Sequence, residues 1–386
     1  MFLPLVAASA ALLPLITPSH AQSHMEAVST STVACNNSPL LCGRDYNKIT
    51  HMGAHDSAFL RDQSNDFSLS GNQFYNATTA LSAGIRLLQA QVHSVNGTLE
   101  LCHTDCSLLD AGSLESFLTP IKSWMDANPN EVVTLLLVNS DNEPASSFGS
   151  VFESSGISKY GYTPRSSTGP ISTWPTLQSL ITAKTRLVTF IASITYDATY
   201  PYLLSEFDYI FETTFDVISL SGFNCSLQRP STLSSSKSAI SSGYVGLVNH
   251  FADTLVGFGI TIPDVDNITI TNSPSTNTPG ALGLNAQQCE SEWGGKPTFI
   301  LVDFWNVGPS IETADNINGI LATGRTIVST DVLNSSNPNA SAIASPSPSP
   351  SAGSNSNAKG EASTVSCSWT MVTTVVILIL GNFVWL

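Results

Sequence analysis

The chain of 386 residues is poor in positive charge: 14 lysines and arginines stand against 29 aspartates and glutamates, a formal net charge of −15. Binding along a phosphate backbone needs many cations, so nucleic acid is excluded as a partner. No glycine-rich phosphate loop of the GxGxxG or Walker type is present, which removes the common nucleotide-binding units. No internal repeat is visible, and no cysteine spacing matches a zinc site. The first residues contain no Lys or Arg, although the run 1–21, MFLPLVAASAALLPLITPSHA, is otherwise a secretory signal peptide ending in small residues.

What is present at the other end is more telling. Met371–Leu386 is apolar and uncharged, short of the roughly 20 residues that span a bilayer comfortably. A polar spacer precedes it, and small residues surround Asn357, Ala358 and Gly360. That order predicts a GPI-attachment signal over 363–386. A tail anchor is the alternative, disfavoured because no basic cluster follows the run. Residues 334–362, with Ser345-Pro-Ser-Pro-Ser-Pro-Ser351, hold too little apolar surface to fold and read as an extended, O-glycosylated stalk. The globular part is then 30–333, a natural length for one α/β barrel. The expected location is extracellular, at the cell surface or wall, tethered to the plasma membrane through a GPI lipid.

Seven cysteines are an odd number, but Cys367 lies in the segment that GPI attachment removes. Six in an oxidising compartment predict three disulfides among fifteen possible connectivities. Short spacing favours Cys35–Cys42 and Cys102–Cys106, leaving Cys225–Cys289. Sequons at Asn36, Asn76, Asn96, Asn224, Asn267, Asn334 and Asn339 fit a secreted glycoprotein.

Apolar runs alternate with helical patterns, the mark of βα units round a parallel sheet. Strands are expected at Lys48–Ala54, Arg86–Val92, Val132–Val138, Leu187–Ala192, Tyr209–Thr213, Val245–Asn249 and Thr298–Phe304, with a weak eighth near Thr326–Ser329. Helices are expected at Leu114–Ala127, Trp174–Ala183 and Ile311–Leu321. The fold class is therefore α/β: a single-domain TIM-type (β/α) barrel, closed or imperfectly closed. An open, doubly wound sheet is the runner-up.

In such a barrel, polar residues at the carboxyl ends of strands form the site. His55 and Asp56 end the first strand, and His93 ends the second. His103 follows in the hairpin Leu99-Glu-Leu-Cys-His-Thr, His250 ends the sixth, and Asp303 sits near the end of the last. Strand alternation puts Gln89, Gln91 and His93 on one face, with Arg86 opposite and turned to the helices. One such histidine is commonly a structural hydrogen-bonding group. His51 shares parity with His55 and is expected to pack inside.

Four segments, Thr50…Gly53-Ala-His-Asp-Ser57, Gly84-Ile-Arg-Leu-Leu-Gln-Ala-Gln91, Leu101-Cys-His-Thr104 and Trp124-Met-Asp-Ala-Asn-Pro-Asn-Glu-Val-Val-Thr134, carry a resemblance. They resemble the phosphatidylinositol-specific phospholipase C X-domain superfamily, most of all the fungal GPI-anchored PLC-like phosphodiesterases. The likeness covers 45–140 well; beyond 180 it consists of strand order and Leu301-Val-Asp-Phe-Trp305. The resemblance implies phosphodiester cleavage by two histidines. His55 would be the base that deprotonates an inositol hydroxyl, and His103 the acid that protonates the departing diacylglycerol oxygen. Asp56 would support the acid, and Asp303 would orient the base.

One departure accompanies the match. Calcium-dependent members carry Glu and Asp on the second strand, and calcium-independent bacterial members an Arg; this chain has Gln89 and Gln91. Neutral amides can hydrogen-bond phosphate without compensating its charge, a task left to His93 if it is protonated. No calcium cage is formed by such residues; no metal and no cofactor are expected. The substrate implied is a phosphoinositide or a related phosphodiester. Two other readings compete: a catalytically degenerate barrel kept as a surface binding protein, and a structural wall glycoprotein.

Overall fold

The computed structural model describes residues 33–330 apart from 167 and 258. The expected signal peptide at 1–21, stalk at 334–362 and GPI-attachment tail at 363–386, together with Cys367 and the sequons at Asn334 and Asn339, lie outside the described residues. The strands are β1 (His51–Ala54), β2 (Leu87–Val95), β3 (Thr98–Cys102), β4 (Asp110–Ser113), β5 (Val133–Asn139) and β6 (Leu187–Ala192), then β7 (Leu203–Ser205), β8 (Ile210–Glu212), β9 (Val245–Asn249), β10 (Asp253–Gly257), β11 (Ile260–Pro263) and β12 (Phe299–Val302).

Eight of them form a parallel ladder in the order β7-β6-β5-β2-β1-β12-β9-β8. Laid flat at a spacing of ~4.8 Å, the two edges would stand about 34 Å apart. Yet β7 and β8 are joined by the four-residue helix Glu206–Tyr209, which is only about 6 Å long. The sheet must curl until its edges meet, so it is a barrel with one seam lacking a ladder. At that seam the edge of β8 is occupied by the 228–229 segment: Glu212 N donates to Arg229 O and Gln228 N to Glu212 O, both at 2.9 Å. The imperfectly closed barrel is the correct alternative, and the doubly wound sheet is not.

The eighth strand is not where the sequence placed it. Thr326–Ser329 forms no strand; the missing member is β7. At three residues it is too short for a hydrophobic period to show. The β3 hairpin extends β2, pairing in register from Val92↔Leu101 to Val95↔Thr98. A separate hairpin, β10–β11, follows β9.

Parity along each strand splits the core in two. Leu87, Leu136, Phe190, Leu247, Phe299 and Leu301 fill the barrel above Tyr46 and Trp174. Their neighbours Leu88, Leu135, Leu137, Ile191, Val248 and Ile300 pack outward beneath the helices. Both faces are buried, which is why the strands read as unbroken apolar runs. Gly53 serves this packing: a Cβ there would lie 2.8 Å from Leu301 Cδ2 and 2.9 Å from Leu87 Cβ. The helix Leu114–Ala127 starts where expected, because the Ser113 side chain accepts from Ser116 N. Its buried Leu114, Leu118, Ile121 and Met125 repeat at helical spacing.

Arg86 faces the helices, as alternation requires. Its guanidinium donates to Glu131, to Asn37 Oδ1 and to the carbonyls of Leu81 and Ile85. The three disulfides are Cys35–Cys42, Cys102–Cys106 and Cys225–Cys289. Of the described sequons, Asn36 is buried and its Oδ1 accepts from Val132 N, so no glycan fits there. Asn76, Asn96, Asn224 and Asn267 are exposed.

Candidate active site

The carboxyl ends of β1, β2, β3 and β12 converge on one group of side chains. His55 continues the β1 ladder, donating its backbone N–H to Val302 O at 3.0 Å. The chain then turns at Asp56, which has φ 44°, a left-handed conformation that Asp tolerates. β2 pins this turn: Ser57 N donates to Gln89 O at 2.7 Å, and Asp56 N to Gln89 Oε1 at 2.6 Å. Gln73 holds it from the other side, donating to His55 O at 2.6 Å and to Val302 O at 3.1 Å.

His55 Nδ1 lies 2.9 Å from Asp303 Oδ1. An ionised carboxylate only accepts, so Nδ1 carries the hydrogen and Nε2 is left for chemistry. Asn72 Nδ2 donates to the same Asp303 oxygen at 3.1 Å. On the far side, Asp56 Oδ2 stands 3.6 Å from His55 Nε2 and 3.4 Å from His103 Nε2. One carboxylate oxygen thus separates the two imidazoles. His103 sits on the loop that Cys102–Cys106 staples, its N–H bonded to Leu109 O, with Phe59 edge-on to its ring at 5.2 Å. His103 Nδ1, Asp56 Oδ1 and Asp303 Oδ2 are buried without a protein partner.

The two glutamines hold their neighbours. Gln91 Nε2 donates to Asp56 Oδ2 at 2.8 Å while its Oε1 accepts from Thr104 N at 3.0 Å. Gln91 therefore ties the β1 turn to the His103 loop, and Gln89 anchors Asp56. Their carboxamide oxygens both have donors already. His93 lies on the same strand but faces Asp141, whose Oδ2 is 3.5 Å from His93 Nδ1 and also accepts from Ser94 N. His250 does not join the site: it is fully buried, with Nδ1 against Asn285 Oδ1 and Nε2 against Thr271 O, both at 3.0 Å. Burial pushes its pKa down to about 4 despite those contacts, and does the same to His51, which contacts Tyr46 O.

His55 behaves oppositely. Burial opposes its charge, but the carboxylates of Asp56 and Asp303, the hydrogen bond to Asp303 and the charge of Asp253 outweigh it. The imidazole is pushed up to about 9. Asp253 is pushed up to about 6 by burial and then by Asp303, with His55 pulling the other way.

Several participants had no signal in the sequence. Phe251 stacks on the His55 ring at 3.6 Å with the planes 7° apart. Asn72 and Gln73 come from a loop without any motif. Arg61, buried and stacked over Phe304 at 4.9 Å, donates to Leu69 O and is drawn electrostatically to Asp303. The sequence marked none of these, since each depends on a tertiary neighbour.

Hollow volume does not locate this site. A cavity of about 610 Å³ lies by Pro39, Leu40 and Asn316, and one of about 450 Å³ at the amino ends of β9 and β12, beside Tyr244 and Lys296. Neither contains paired acid–base groups. His55 and His103, 15% and 19% exposed, sit in a shallow position. Among the described residues no group of three or more His, Cys, Asp or Glu is arranged to hold a metal ion.

The chain is similar to known proteins over most of its length. The family model described as PI-PLC X 1 matches residues 41–318. A PI-PLC X domain-containing protein 1 of Arthroderma benhamiae is 37% identical over 288 residues, 74% of this chain and 90% of its own length. A second protein of that organism, named only as an uncharacterized secreted protein, is 33% identical over 323 residues, 82% of this chain and 71% of its own. The phosphatidylinositol-specific phospholipase C from Listeria monocytogenes is similar in structure with a TM-score of 0.46 and 15% identity, covering 74% of this chain and 97% of its own.

Proposed function

This chain belongs to the PI-PLC X-domain family, and from that premise we propose that it is a phosphoric diester hydrolase acting on phosphoinositides or related phosphodiesters. The observation that carries the proposal is the chain Asp303–His55–Asp56–His103, in which both imidazole Nε2 atoms lie within 3.6 Å of one carboxylate oxygen. A phosphodiester cleavage needs a base and an acid on opposite sides of phosphorus. Asp303 fixes the tautomer of His55, whose Nε2 takes the proton from the attacking hydroxyl. The new P–O bond forms as the bond to the leaving oxygen breaks, and His103, supported by Asp56, returns a proton to that oxygen.

Two features shape the expected activity. With its pKa near 9, His55 is in the base form in only about one molecule in a hundred at pH 7; the rate should climb towards pH 9. The carboxamide oxygens of Gln89 and Gln91 are engaged by Asp56 N and Thr104 N, so the reading requires no calcium. A second reading, a degenerate barrel serving as a cell-surface binding or structural glycoprotein, is favoured by the same glutamines, which bring no charge to phosphate. The purified protein incubated with phosphatidylinositol vesicles, with and without EDTA, separates the two. Release of water-soluble phosphorus in both conditions supports the hydrolase; none in either supports the degenerate barrel.

The location belongs to the same proposal. The secreted relative supports an extracellular protein, with the leader 1–21 removed and 30–333 as the functional unit. The 334–362 stalk and a GPI lipid near Asn357–Gly360 would tether it. Mass spectrometry of the membrane-bound form should find no peptide reaching Leu386; an intact end would mean a tail anchor instead.

A further inference from the structure

Asp303 decides which nitrogen of His55 carries the hydrogen, yet Asp303 itself is held from outside the barrel strands. The segment between β1 and the helix Ala77–Ala83 turns back on itself and brings Asn72 and Gln73 to the carboxyl ends of β1 and β12. Both are buried, at 1% and 0% exposure. Their backbone is fixed on each side. Asn72 N and Gln73 N donate to Phe59 O at 2.9 and 3.1 Å, Asn72 O accepts from Phe304 N at 2.8 Å, and Gln73 O accepts from Arg61 N at 2.7 Å. Gly71 permits this approach, because a Cβ there would collide with Leu60 O.

The two side chains divide the work. Gln73 clamps the strand ends: its Nε2 bonds His55 O and Val302 O, and its Oε1 accepts from Trp305 N at 3.2 Å. Asn72 reaches the charged pair, with Nδ2 3.1 Å from Asp303 Oδ1 and 3.4 Å from His55 Nδ1. A carboxylate oxygen only accepts, so the amide nitrogen of Asn72, and not its carbonyl, faces Asp303. Asn72 and His55 are therefore two donors converging on one oxygen.

This convergence matters because the last torsion of an aspartate is soft. Asp303 Oδ2 is buried with no protein partner, so these two donors alone set the plane of the carboxylate. Without Asn72 the carboxylate is free to turn away from Nδ1. The hydrogen of neutral His55 would then lose its preferred place, since each ring nitrogen's role follows from the bond the other makes.

We propose that Asn72 is a positioning residue: by donating to Asp303 Oδ1 it fixes the carboxylate plane, keeps the hydrogen of neutral His55 on Nδ1 and leaves Nε2 open to accept a proton. That His55 is a base rests on the phosphodiesterase reading; its tautomer does not. The charged groups acting on this pair are Asp56, Asp253, Arg61 and Glu212. None is hydrogen-bonded to Asn72, and all remain when that neutral residue is replaced, so a variant there changes geometry without changing charge.

The test uses the full chain with ¹⁵N-labelled histidine, as wild type, Asn72→Ala and Asn72→Leu, the last keeping the side-chain volume. Above the His55 pKa of about 9, the wild type should show the Nδ1–H tautomer and both variants a large Nε2–H population. His250, held elsewhere by Asn285 and Thr271, should keep its own tautomer throughout, which a general loosening of the fold would not allow. In phosphatidylinositol cleavage kcat should fall about 10- to 100-fold, the usual cost of losing a hydrogen bond to a charged group, with KM little changed. Variants that keep Nδ1–H, or a loss carried by KM, would overturn the proposal. An Nε2–H wild type would overturn it without any variant. A wild type that is Nδ1–H but cleaves nothing sinks the hydrolase reading and leaves the tautomer comparison to decide the role of Asn72.

Discussion

Replacing Asp303 by Asn keeps the shape of the partner behind His55 and removes its charge. Burial opposes the charge of His55, but Asp56, Asp303 and Asp253 outweigh it and raise its pKa from 6.5 to about 9. Carried into linkage, a rise of that size is worth about 3 kcal/mol of folding free energy. Because the folded pKa lies above the unfolded one, this stability is fully present below pH 6.5 and is lost as pH climbs through 9. Asp303→Asn should lower the His55 pKa by more than about one unit, since an opposite charge in direct contact typically shifts a neighbour by 1–3 units. The pH-dependent loss of stability between 6.5 and 9 should shrink in proportion. Imidazole resonances followed by NMR titration give the pKa, and urea unfolding at pH 6.5 and 9.5 gives the linked stability. A wild-type His55 titrating at or below 6.5, or one indifferent to Asp303→Asn, would refute the electrostatic account of this site.

Three further outcomes can be checked with simple variants. His55→Ala and His103→Ala should each lower phosphodiester cleavage by roughly 10²–10⁴-fold, the usual contribution of a general acid or base, with circular dichroism unchanged. Gln91→Ala removes the tie between Asp56 and Thr104 N; it should lower kcat more than it raises KM, because the geometry of the acid and not substrate contact is disturbed. Arg86→Ala takes away the guanidinium that pairs with Glu131 and donates to Asn37 Oδ1, Leu81 O and Ile85 O, and should cost about 3–5 kcal/mol in denaturant unfolding.

How far the sequence could be read follows from what each feature depends on. Strands buried on both faces, such as Val133–Asn139 and Leu187–Ala192, announce themselves as apolar runs, and strand parity alone assigned Arg86 outward and Gln89 inward. The disulfides followed from spacing. β7 was invisible because three residues cannot display a period, and its place was given to Thr326–Ser329, which is not a strand. The histidines at strand ends were all visible, yet only contacts distinguish them. His250 is consumed by Asn285 and Thr271, whereas His55 meets two carboxylates. The glutamines read equally as ligand-facing residues or as a structural amide network; the Gln89 carboxamide oxygen accepts from Asp56 N, and Gln91 bridges Asp56 and Thr104. Phe251 and Asn72 reach the site through tertiary packing that no local pattern encodes.

The central claim is that His55 and His103 act as one acid–base pair on a phosphodiester. Following phosphatidylinositol cleavage by phosphorus NMR, with EDTA present, tests it most directly in the wild type, His55→Ala, His103→Ala and the double variant. Internal attack by a neighbouring hydroxyl requires a cyclic phosphodiester as first product. The account predicts that product from the wild type, its near-loss in each single variant, and a double variant little worse than either, since residues acting as a unit are not additive. No cyclic product from the wild type, or single variants that retain its rate, would contradict it.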